Sequence, residues 1–100
     1  MAIIELSKRI AVDIDRIVAH LQEYEVADAG ERVAAIFHAI DALEYNPLIG
    51  RSVESDYREL VVGRDVRGYM VLYRYSSNRD IVYVLGIRAR GEAGYADDLL

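Results

Sequence analysis

The side chains best suited to gripping charge or stacking on rings are the arginines and tyrosines of the C-terminal half: Arg58, Arg64, Arg67, Tyr69, Tyr73, Arg74, Arg88, Arg90 and Tyr95. A guanidinium binds carboxylate or phosphate through a planar fork and stacks on aromatic faces. Such a set suits either a phosphate backbone with its bases or an acidic peptide. Two plainer uses compete with both. Arginines keep sheet edges soluble, and tyrosines at alternate strand positions pack across strands, which is the expected role of Tyr69, Tyr73 and Tyr83.

Other chemistries find no footing. His20 and His38 are the only histidines, each alone on an expected helix, and no second ligand is spaced to complete a metal site with either. The serines at 7, 52, 55, 76 and 77 lack an adjacent histidine and a nucleophile-elbow context. The glycines at 63, 68, 86, 91 and 94 do not form a phosphate cradle ahead of a helix. The chain has no cysteine, which excludes a thiol nucleophile, a thiolate zinc site and a disulfide framework. The acid pairs Asp13 with Asp15 and Asp97 with Asp98 read as solvated faces, not as acid/base dyads. No metal and no cofactor are expected.

The formal net charge of −5 argues against tight non-specific nucleic-acid binding, which needs phosphates neutralised by basic side chains. That average conceals two halves of opposite sign. Residues 1–50 carry four basic and nine acidic side chains, a net of −5, whereas residues 57–90 carry seven arginines against Glu59, Asp65 and Asp80, a net of +4. Lysine occurs once, as Lys8. One hundred residues, 53% of them apolar, make a single globular domain with a core of its own. The N-terminus has too short an apolar stretch for a secretory signal and no later run approaches a membrane span, so a cytoplasmic protein is expected.

The elements that must position the arginines follow from periodicity. A short apolar run, Ile3-Ile4-Glu5-Leu6, precedes Ser7, an expected N-cap for a helix with apolar residues at Ile10, Ile14, Ile17, Val18 and Leu21. Asp28 with Glu31 reads as a capping box that starts a second helix, striped by Val33, Ile36, Phe37, Ile40 and Leu43. Asn46-Pro47 ends it, because the residue before a proline is pushed out of helical conformation. From Tyr57 the period becomes two. Strands are expected at 57–62, 69–75 and 81–87, with Tyr69, Val71, Tyr73 and Tyr75 on one face of the second and Met70, Leu72 and Arg74 on the other. The third, apolar on both faces, belongs inside the sheet. The expected fold is α+β in the order β-α-α-β-β-β: an N-terminal strand at an edge, an αα-hairpin packed on one face, then a three-stranded antiparallel meander. The domain is assigned to residues 1–90, followed by a C-terminal tail, 91–100, with little to anchor it except Tyr95, Leu99 and Leu100.

Four blocks in this order carry a family likeness. Asn46-Pro47-Leu48-Ile49-Gly50-Arg51, Tyr57-Arg58-Glu59-Leu60-Val61-Val62, Gly68-Tyr69-Met70-Val71-Leu72-Tyr73-Arg74 and Val82 to Ile87 resemble the successive blocks of RelE/ParE-superfamily toxins. The closing Arg88-Ala89-Arg90-Gly91-Glu92-Ala93-Gly94-Tyr95 resembles the ParE-branch ending Arg-His-x-Arg-Glu-Ala-Gly-Tyr, with Ala89 in place of the His and Gly91 in place of the second Arg. The resemblance implies the toxin of a type II toxin–antitoxin, plasmid-stabilising system, neutralised by a cognate antitoxin that wraps the helix hairpin and sheet in a hetero-oligomer.

Within the superfamily, the ParE branch implies a non-enzymatic inhibitor of DNA gyrase. The RelE branch implies a ribosome-dependent mRNA endonuclease, for which only Arg58, Arg88 and Tyr95 carry over as catalytic residues. Met70 stands where RelE-like nucleases tend to carry a catalytic arginine, which favours the ParE branch, since a thioether cannot stabilise phosphoryl charge. A degenerate antitoxin-binding module without toxicity is the third reading. The resemblance places antitoxin binding at Arg58, Arg67, Arg74, Ile14 and Val18, and target binding at Arg88, Arg90 and Tyr95, with no membrane partner and no sequence-specific nucleic-acid contact.

Overall fold

The structure, a computed structural model, describes residues 1–63, 67–92 and 94–95; Arg64, Leu99 and Leu100 lie outside the described residues. The chain runs β1 (Ile3–Leu6), α1 (Arg9–Glu23), α2 (Ala29–Asp41), a single 3₁₀ turn (Ala42–Glu44), β2 (Arg51–Ser52), β3 (Tyr57–Val62), β4 (Tyr69–Ser76) and β5 (Ile81–Ala89). The strands form one sheet in the order β1-β5-β4-β3-β2, and the helical hairpin covers one of its faces. Among the described residues β1 with β5 is a parallel pair and the other three pairs are antiparallel. The α+β layout expected from periodicity is the one observed, with β2 as an unexpected fifth strand. Two residues are too few to display a period of two.

The alternation in β4 sets the two faces. Tyr69, Val71 and Tyr73 point into the main core with Ile10, Ile17, Leu21, Ile36, Ile40 and Leu43 of the helical layer. Met70 and Leu72 point the other way, into a smaller cluster with Tyr95, flanked by Val53, Tyr57 and Leu85. Between β4 and β5 the register shifts after Leu72, so that Leu72 pairs with Gly86 and Tyr73 with Val84. The extra residue, Leu85, is a bulge of the kind that re-aims side chains.

Of the two expected helix caps, one is displaced and the other stands in place without its expected bond. Ser7 turns its hydroxyl to the sheet, donating to the Leu85 carbonyl at 3.0 Å, and Lys8 takes the N-cap position of α1 without a side-chain bond. Asp28 does stand at the N-cap of α2, yet its carboxylate accepts from Arg32 Nε at 3.0 Å and not from a backbone amide. In each case a partner outside the cap competes for the side-chain oxygen.

The expectation that Asp13 belongs to a solvated face is overturned. Asp13 is fully buried between Ile10 and Ile17, and its Oδ2 accepts the Ile87 amide at 2.8 Å. The physical cause is an unfinished edge. β1 pairs with β5 only as far as Val84, and beyond it the link into α1 and the helix itself take over: Ser7 serves Leu85, then Asp13 of α1 the Ile87 N–H and Arg16 the Ile87 carbonyl at 3.0 Å. Backbone groups of a buried strand must find partners, and here side chains of a helix supply them.

Candidate functional site

On the sheet face away from the helices, three side chains, Arg51, Arg88 and Tyr95, converge on one carboxylate. Glu59, from β3, is 4% exposed. Its Oε1 accepts from Arg51 of β2 at 2.8 Å, and its Oε2 accepts the Tyr95 hydroxyl at 2.6 Å. Arg88 of β5 lies 3.6 Å from the same Oε2 and stacks over the Tyr95 ring at 5.3 Å. Strand register explains the convergence, because Glu59 pairs with Leu72 and Arg51, while Arg88 pairs with Met70. Directly opposed residues share a face.

The electrostatics close this cluster on itself. Burial alone would raise the pKa of Glu59, but hydrogen bonds from Tyr95 and Arg51 and the charges of Arg88 and Arg51 outweigh it, and the net shift is downward. Burial and the neighbouring carboxylate push the Tyr95 hydroxyl well above its ordinary range, against a smaller opposing effect of Arg88. Arg88 also donates to the Glu92 carbonyl at 3.2 Å. The cluster therefore holds its protons and its charge in place.

A second feature lies at the other side of the sheet. A groove of about 560 Å³ opens between the tip of the helical hairpin and the ends of β4 and β5. Ile17, Leu21, Val26 and Tyr69 give it an apolar floor, and Arg16, His20, Arg32 and Arg67 stand around it with Glu92 as the acid among them. Arg16 meets Glu92 at 3.2 Å.

The residues singled out from sequence are distributed over these places and beyond them. Arg88 and Tyr95 come together. Arg58 does not join them: it pairs across the strands with Tyr73 on the helix face, where it donates to the carbonyls of Leu48 at 3.3 Å and Gly50 at 2.8 Å. Arg67 lines the groove, whereas Arg74 lies on the open sheet face, over the Tyr83 ring at 4.8 Å and 3.8 Å from Asp56. Arg90 is exposed at the end of β5, its amide bonded to the Gly68 carbonyl. Ile14 and Val18 are half-buried in α1, and Ile14 packs on the main core.

Sequence reasoning missed Glu59 and Arg51. The available signal was a lone acid inside the strand Tyr57-Arg58-Glu59-Leu60-Val61-Val62, on the face shared with Tyr57 and Val61. Among the described residues no group of three or more His, Cys, Asp or Glu side chains is placed to hold a metal ion. Among those same residues no helix is long and apolar enough to cross a membrane.

Known proteins share this architecture. The toxin–antitoxin structure described as the chromosomal ParDE system from P. aeruginosa is similar with a TM-score of 0.71 and 21% identity, over 89% of this chain and 96% of that one. The archaeal RelE–RelB complex from Pyrococcus horikoshii OT3 is similar with a TM-score of 0.57 and 16% identity, over 92% of this chain and 98% of that one. At these identities the likeness is one of fold. No curated protein matches the chain. Residues 4–94 match the family described as the ParE toxin of the type II toxin–antitoxin system, parDE. With the match spanning nearly the whole fold, from β1 to the glycine before Tyr95, the chain belongs to the ParE toxin family.

Proposed function

We propose that this ParE-type toxin has no catalysis of its own, engages DNA gyrase in the cytoplasm, and is held inactive by a cognate antitoxin in a hetero-oligomer. The observation that carries the non-enzymatic reading is the buried Glu59 carboxylate. It occupies the position between Arg88 and Tyr95 where a nuclease reading needs a phosphate. A second anion there would meet a like charge and neutralised donors. Burial and the Glu59 carboxylate raise the Tyr95 pKa, which disfavours the phenolate that a general base requires, and the adjoining Met70 offers no donor. Arg58, the remaining nuclease candidate, stands on the opposite sheet face. Kinship with the ParE branch supports gyrase as the target.

The groove supports the antitoxin half of the reading. An amphipathic segment with acidic residues would bury its apolar side chains on Ile17, Leu21 and Tyr69 and set carboxylates near Arg67 and Arg32. Antitoxin-free protein added to translating ribosomes should leave mRNA intact. Codon-specific cuts that vanish in Arg88→Ala or Tyr95→Phe variants would overturn the non-enzymatic reading. An Arg67→Glu variant should lose on the order of tenfold or more in affinity for the cognate antitoxin, and unchanged affinity would remove the antitoxin from the groove.

A further inference from the structure

At the far end of α2 from the groove, residues 45–49 expose three large apolar side chains within five positions. Tyr45 is 72% exposed, Leu48 58% and Ile49 60%. Large apolar side chains this exposed and this close in the chain are candidates for a contact surface. The backbone beneath it is fixed. Arg58 donates to the carbonyls of Leu48 and Gly50, the Gly50 amide donates to the Tyr73 hydroxyl at 2.8 Å, and the Ile49 amide to the Asn46 carbonyl at 3.1 Å. Tyr73 is fully buried in the main core. Gly50 has no room for a side chain, since a Cβ would lie 2.7 Å from the Tyr73 ring and 2.8 Å from the Glu59 carbonyl. Pro47 restricts the loop further. Apolar side chains are thus presented on a rigid support, and a rigid loop loses little freedom on binding.

The charge around the loop selects the partner. Asp41 precedes it, Glu54 and Asp56 follow β2, and all three are exposed. Across positions 41–58 the chain carries Asp41, Glu44, Glu54 and Asp56 against Arg51 and Arg58, a net of −2; Arg51 is paired with Glu59, Arg58 donates to the Leu48 and Gly50 carbonyls, and Asp56 lies 3.8 Å from Arg74. An acidic, apolar surface repels phosphate backbones, and it suits an acidic antitoxin segment equally poorly. It fits a protein face with an apolar socket bordered by basic side chains. The groove and the loop lie at opposite ends of α2, whose thirteen residues span about 20 Å.

We infer that the 45–49 loop is the surface through which the toxin docks on its protein target, an apolar socket with a basic rim. The identification of that target as gyrase rests on the functional reading above. The variants Tyr45→Ala and Leu48→Ser/Ile49→Ser, in full-length toxin, separate the two ideas. Their thermal midpoints and antitoxin affinity should match the wild type, because the altered side chains are exposed and distant from the groove. Inhibition of purified gyrase holoenzyme should fall at least tenfold. Asp41→Lys/Glu54→Lys should weaken gyrase binding most at low salt.

Full inhibition by both loop variants would overturn the docking role. So would a loss of antitoxin affinity, which would give the loop to the antitoxin. If the wild type arrests growth without inhibiting gyrase, the gyrase assignment fails alone. Loss of arrest in the loop variants then still supports docking, and retention of arrest overturns it. A wild-type chain that does not arrest growth contradicts both.

Discussion

Glu59 concentrates the physics of this molecule at the scale of one residue. Removing a carboxylate from water costs several kcal/mol unless partners replace its hydration, and Arg51, Tyr95 and Arg88 do so. Its folded pKa lies below the ordinary 4.5. A depressed carboxylate contributes stability that is fully present above the unfolded pKa and is lost as pH falls through the folded one. Urea denaturation followed from pH 7 down to pH 3 should therefore show a loss of stability that begins near pH 4.5 and is shallower in Glu59→Gln. Parallel curves for the two proteins would mean that the cluster contributes nothing to acid sensitivity. The buried acids were the least legible residues in the sequence. Asp13 sits on the apolar stripe between Ile10 and Ile17, a position that signals burial, but its partner, the Ile87 amide, lies 74 positions away. Asp13→Ala should cost about 3 kcal/mol, the loss of a buried acceptor for a backbone amide. The exposed Asp15→Ala should change stability by less than about 0.5 kcal/mol. Equal effects of the two in a chemical denaturation series would refute the role of Asp13 as a cap on the edge of β5.

Elements here are finished by one another. β5 has β1 along only part of one edge, and Ser7 before α1 with Asp13 and Arg16 of α1 completes that edge. The connection from α2 to β3 is held down on the helix face by Arg58, a candidate antitoxin contact, and by Tyr73, whose expected role was packing. Gly50 is the tightest point of that connection. Gly50→Ala must displace Tyr73 or the β3 backbone, and overpacking of this kind costs about 1–3 kcal/mol. A thermal midpoint equal to that of the wild type would show that the loop yields more easily than its contacts imply. Periodicity was sufficient for α1, α2 and the faces of β4, because many residues repeat the same signal. It was silent on β2, a pair of residues with no period; at the caps local chemistry placed Asp28 correctly before α2 but not its bond to Arg32, and it missed the turn of Ser7 to the sheet.

The whole molecule is a two-layer fold with a basic groove at one end of α2 and an acidic, apolar loop at the other. The layering was legible because it follows from the order of helical and strand periods. The Glu59 cluster was not, since residues 51, 59, 88 and 95 meet only when register and tail placement are known. Tail placement also governs truncation. A chain ending at Arg90 keeps the main core, complete by Ile87, but loses the Glu92 bonds and the Tyr95 cover of Met70 and Leu72. It should unfold cooperatively with a midpoint lowered by roughly 10 °C, the consequence of about 2 kcal/mol in a domain of this size. An unchanged midpoint would mean that Tyr95 is not anchored in solution. The central claim concerns what the toxin does, and the most direct measurement is the activity of purified DNA gyrase titrated with antitoxin-free toxin. The predicted result is inhibition of supercoiling, with accumulation of the cleaved-DNA complex, that is reversed by the cognate antitoxin and retained in Tyr95→Phe. Gyrase that supercoils at its full rate in excess toxin, beside ribosome-bound mRNA cut in an Arg88-dependent manner, would contradict it.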